Sequence, residues 1–123
     1  MRVGLLVGAL VASLLVAAAP ADGQVIRTAE VVQCSGSIAV ANTSQVATNG
    51  DSSRVWLIVE NPTNATEPLF VSVGPGNPAS TAAGSIELAI GGSLSFLSGV
   101  SPTGQINVTA ATAGHRFICA AGR

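Results

Sequence analysis

Apolar and polar residues alternate with a period of two through most of this chain, most clearly in RVWLIVENPTNATEPLFVSVG at residues 54–74. Val55, Leu57 and Val59 share one phase and Trp56 and Ile58 the other, and in a strand the two phases point to opposite faces. Apolar groups on both phases fit a central strand, or one whose outer face a second subunit covers. Asn61, Pro62, Thr63, Asn64, Ala65 and Thr66 interrupt the run, because proline has no amide donor and asparagine can bond its own backbone. Leu69, Val71 and Val73 then resume the inward phase, with Phe70 outward. The pattern predicts a hairpin of two strands.

The same grammar recurs at shorter spacing. It predicts a strand over 26–34 with Val32 and Cys34 on one face, and another over 37–46 carrying Ile38 and Val40. After a loop at 74–84, Ile86, Leu88 and Ile90 alternate with Ser85, Glu87 and Ala89. Gly91 and Gly92 make a tight turn before Leu94 and Phe96, since glycine alone takes positive φ freely. Ile106 and Val108 mark a further strand, and 115–120 a last one with Phe117 and Cys119 on one face. No window has the 3.6-residue period of an amphipathic helix. The expected fold is all-β: a small β-sandwich or partly closed barrel of about seven or eight short antiparallel strands, preceded by an apolar N-terminal segment.

That segment, MRVGLLVGALVASLLVAAAPADG, has one positive charge at Arg2, an apolar run, and Ala19 and Ala21 as the small pair of a cleavage site. It reads as a signal peptide over 1–21. The rival reading is a retained membrane segment, because a spanning helix needs roughly 17–25 residues. Residues 22–123 then form a single β domain of a size that supports one hydrophobic core. Charge narrows the partners: without a lysine, four arginines against six acids in that domain cannot make the basic stripe of a nucleic-acid surface. Contact with a membrane is expected only if residues 1–21 are retained. Cys34 and Cys119, one near each end of the domain and both on inward phases, are expected to form a disulfide behind an export signal, with sulfurs reaching the interior between two sheets. Two buried free thiols are the alternative.

Candidate chemistry is sparse. His115 is the single histidine, which rules out a three-histidine zinc site, and its position at a strand entry suggests a solvated edge rather than a general base. No G-x-S-x-G elbow or phosphate-binding glycine pattern occurs, and Glu60 and Glu67 lack the aromatic cleft that accompanies a glycosidase pair. No catalytic residue, metal ligand or cofactor is expected, and the chain reads as a non-enzyme. Asn42, Asn64 and Asn107 each begin an N-x-S/T triplet, which matters only in a eukaryotic secretory pathway.

RVWLIVENPT at 54–63, PLFVSVG at 68–74, IELAIGGS at 86–93 and TGQINVTA at 103–110 together resemble small β-sandwich structural proteins of tailed bacteriophages. The resemblance implies a virion protein that decorates a capsid or forms a small spike, with the major capsid or another virion protein as partner. The export signal and the cysteine pair depart from that pattern and fit the periplasm, cell envelope or extracellular space better. On the residues themselves, Trp56, Ile58 and Phe70 are the candidate self-association interface, a trimer being preferred on the phage resemblance. A second reading is a secreted or envelope-associated module binding a host surface glycan, with Trp56 or Phe70 as platform and Asn61, Asn64 and Glu67 as loop contacts.

Overall fold

A computed structural model describes residues 30–74, 79–81, 84–97 and 99–123. The expected export segment at 1–21 and the front of the first predicted strand lie outside the described residues. Among the described residues nine strands form two antiparallel sheets: β1 (Val31–Gln33), β2 (Gly36–Ser37), β3 (Gln45–Thr48), β4 (Trp56–Glu60), β5 (Leu69–Val73), β6 (Ile86–Leu88), β7 (Ser93–Phe96), β8 (Ile106–Thr109) and β9 (Arg116–Gly122). One sheet has the order β1-β9-β4-β7, with β2 continuing beside β9 in the register of β1; the other has the order β3-β8-β5-β6. They stack as a sandwich and do not close into a barrel.

The core lies between the sheets, where the period-two pattern sends Leu57 and Val59 of β4 and Phe117, Cys119 and Ala121 of β9. Facing them are Leu69 and Val71 of β5, Leu88 of β6, and Ile106 and Val108 of β8, with Ile38 and Ala110 completing the layer. Burying each large aliphatic side chain stabilises the fold by roughly 1.5–3 kcal/mol relative to leaving it in water. Gln45 closes one open side of the sandwich: its side chain accepts from the Ala39 amide at 2.7 Å and donates to the Ser37 carbonyl at 2.9 Å, linking the β2 edge to β3.

Three expectations are corrected here. Strands β4 and β5 are not a hairpin: β4 pairs with β7 and β9, β5 with β6 and β8, so the segment between them crosses from one sheet to the other. Asn61 directs that crossing, since its amide bonds the Gly92 carbonyl and its side chain is tied to the chain entering β5 and leaving β6. Residues 37–46 are not one strand, because Asn42 takes φ of 53° and the Thr43 amide bonds the Val40 carbonyl, turning the chain and leaving Val40 exposed. Val55 is exposed rather than inward, since it lies just outside its strand; of the alternating Ile86, Leu88 and Ile90, Leu88 alone is buried, because Ile86 opens a strand only three residues long and Ile90 lies beyond it.

The Cys34–Cys119 disulfide, with Cα atoms 4.7 Å apart, joins neighbouring strands of one sheet, and Cys119 is buried in the core with Cys34 packed against it. The Cys34 amide donates to the Cys119 carbonyl at 2.9 Å. The Ser35 hydroxyl accepts from the Cys119 amide and donates to its carbonyl, taking over the partner that the ladder lacks between β1 and β2. The bond therefore clips the edge strand, 30–37, onto β9.

Candidate functional site

Two features carry polar or apolar groups beyond what the core needs. The first is the outer face of the five-stranded sheet. Since Leu57, Val59, Cys119 and Ala121 point inward, their neighbours point out, and the register sets these in rows: Val31, Gly122 and Trp56; then Gln33, Ala120, Ile58 and Ser95; then Ile118, Glu60 and Ser93. Val31 and Ile118 are exposed, while Trp56, Ile58 and Ala120 are half-buried. Gly122 is required under the indole, because a Cβ there would overlap the Trp56 ring. Glu60 stands in the third of these rows and Arg116 two residues beyond it on β9, and neither makes an ion pair or side-chain hydrogen bond among the described residues.

Phe70 does not join this face. It lies on the outward phase of β5, opposite Glu87 and Thr109 in the other sheet, so the sandwich separates it from Trp56 and Ile58. The expected three-residue patch is thus divided between two faces. The register supplies what local pattern missed: Val31, Ala120 and Ile118 are brought beside Trp56 and Ile58 by pairings with β1 and β9, which no stretch of 54–74 encodes.

The second feature is a polar cluster at the end of the sandwich where β4 finishes and β9 begins. Asn61 is fully buried and donates from Nδ2 to the Glu67 and Leu88 carbonyls, both at 3.0 Å. Its Oδ1 must then be an acceptor, and it lies 3.0 Å from His115 Nε2, so that nitrogen carries a hydrogen. His115 Nδ1 stands 3.4 Å from Glu67 Oε1, which also accepts from the Thr112 amide at 2.9 Å and hydroxyl at 2.7 Å. The Thr112 hydroxyl chiefly, with its amide and His115 adding to it against the cost of burial, holds the Glu67 carboxyl below the usual carboxylate range. His115 is buried, so the expected solvated edge is corrected: the residues that sequence reading scattered as a turn asparagine, a loop glutamate and an edge histidine form one knot.

Chemically this knot is committed. Nε2 is engaged by Asn61, Nδ1 faces Glu67, and Thr112 is bonded to the carboxylate rather than to the imidazole, so no activated nucleophile results. Of the proposed loop contacts, Asn61 and Glu67 serve the fold, while Asn64 is exposed and lines an open hollow of about 680 Å³ with Ser35, Ser37, Arg116 and Phe117. Among the described residues no group of three or more His, Cys, Asp or Glu side chains could hold a metal ion. No helix of the described residues is long and apolar enough to cross a membrane. Asn107 is buried in β8 and unavailable for glycosylation in the folded state, whereas Asn42 and Asn64 are exposed.

No family model matches the chain, and no curated protein does. Among solved structures, the chain is similar to one described under "Bacillus endospore appendages form a novel family of disulfide-linked pili", at 18% identity and a TM-score of 0.49, over 76% of this chain and 83% of that one. No comparison returns a phage protein, the structure found being described as a bacterial appendage, so the phage resemblance is withdrawn together with its virion, capsid-decoration and spike roles. The preference for a trimer, which rested on that resemblance, goes with it.

Proposed function

We propose that this chain is an exported, non-enzymatic structural subunit of the cell envelope or cell surface that acts by self-association. The observation that carries the reading is the apolar outer face of the five-stranded sheet, where Val31, Trp56, Ile58, Ala120 and Ile118 lie on adjacent strands. Scattered exposed apolar residues are ordinary, but a contiguous set on neighbouring strands marks an interface. The disulfide and the N-terminal apolar segment support an oxidising destination outside the cytoplasm. The commitment of Asn61, Glu67 and His115 to the fold supports a scaffold rather than a catalyst.

Glycan binding gains nothing from this geometry, since Asn61 and Glu67, two of its three proposed polar contacts, are spent internally. Light scattering on the purified oxidised protein tests the reading. Self-association of the wild type, lost in Trp56→Glu with the far-ultraviolet circular dichroism retained, is the expected result. A wild type that stays monomeric throughout the micromolar range overturns it.

A further inference from the structure

Resting on that reading, we propose that the partner on the outer face of the five-stranded sheet is a second copy of this chain, related by a two-fold axis parallel to the strands between β4 and β9, with Glu60 of each copy paired to Arg116 of the other. Such an axis exchanges β4 with β9. It sets Ile58 over Ala120 of the second copy and Glu60 over the Ile118 row, since Ile58 is opposite Ala120 and Glu60 opposite Ile118 within one sheet. A branched side chain then meets a small one across the seam, the alternation that lets two sheet faces interdigitate about 10 Å apart.

Charge selects this partner. The face carries one half-buried carboxylate, Glu60, and one exposed guanidinium, Arg116, two residues beyond the row of Glu60 on the neighbouring strand. Neither has a partner within the chain among the described residues. One two-fold operation satisfies both, because a self-complementary patch meets itself with the two residues exchanged. Two residues along a strand is about 7 Å, within the combined reach of glutamate and arginine side chains across the seam. Four strands about 4.8 Å apart and about five residues long present a face smaller than the roughly 800 Å² per partner of a standard stable interface. The pair is therefore weak alone, and charge complementarity sets its orientation more than its strength.

Charge exchange tests the arrangement. Glu60→Arg and Arg116→Glu are prepared separately in the full, oxidised chain, and sedimentation velocity is run on wild type, each variant and their equimolar mixture. The wild type is expected to dimerise, each reversal to weaken dimerisation by tenfold or more, and the mixture to recover it as a heterodimer, since both interfacial pairs are then of opposite sign. Should either reversal fail to fold, the double variant Glu60→Gln with Arg116→Gln must lose the salt dependence of the wild-type dimer. A wild type that associates while the reversals and the glutamine pair leave that association unchanged overturns this geometry alone, with self-association intact. A monomeric wild type overturns both.

Discussion

Opening the Cys34–Cys119 bond should cost this domain a large part of its stability. The two residues are separated by 85 positions, so the bond closes nearly the whole described domain into one loop. In the chain-entropy treatment a loop of that length restricts the unfolded chain by about 15 cal/mol/K, or ~4.6 kcal/mol at room temperature. Ladder bonds flank the bond on both sides, Ile38 anchors the edge strand in the core, and Ser35 serves the Cys119 backbone, so the edge strand has other attachments when the sulfurs part. The loss is therefore expected to fall mainly on the unfolded state. A domain of this size loses about 4–8 °C of melting temperature per kcal/mol, and its total stability is about 5–15 kcal/mol. Reduced protein, or Cys34→Ala with Cys119→Ala, should melt at least 15 °C below the oxidised wild type, by about the lower end of that conversion. Circular dichroism melts with and without reductant measure it, and non-reducing peptide mapping verifies the starting state. Oxidised and reduced melts within a few degrees of each other would refute the reasoning, because the loop would then not be restraining the unfolded chain.

Two further outcomes follow from the polar anchors. Arg54 is buried and its guanidinium spans the Pro102, Gly104 and Asn49 carbonyls at 2.7, 2.9 and 2.6 Å, stitching the loop before β4 to the loop before β8. Lysine keeps the charge but presents all its donors from one nitrogen, so Arg54→Lys should cost about 3 kcal/mol in urea unfolding, and a loss within experimental error would show that the fork is not needed. Glu67 has a folded pKa below its ordinary value through Thr112 first and His115 last, so its contribution is present above the unfolded pKa and is lost as pH falls through the folded one. Wild-type stability should decline below about pH 4, and Glu67→Gln should flatten that limb; equal acid slopes in the two proteins would exclude Glu67 as a source.

What could be read from the chain divides along a physical line. The face a residue takes is a local property of a period-two strand, so Leu57, Val59, Leu69, Val71, Ile106 and Val108 were legible as core, as was the inward phase of Phe117 and Cys119. Which strand lies beside which is decided by contacts far apart in sequence, and a polar turn between two alternating runs looks the same whether the chain folds back in its own sheet or crosses to the other. Asn61 shows the difficulty most sharply: beside Pro62 it has the composition of a turn, yet its side chain reaches the Leu88 carbonyl 27 residues away and His115 54 residues away. The same limit hid the proposed interface in part. Trp56 and Ile58 were visible as outward apolar residues, but what makes them a face is β9, whose Ala120, Ile118 and Arg116 arrive beside them only through the register Ile58 to Ala120 and Glu60 to Ile118. A substitution in β9 that leaves 54–74 untouched, such as Ile118→Glu, should therefore disturb association as much as Trp56→Glu does, and an effect confined to the tryptophan would mean that the ring acts alone.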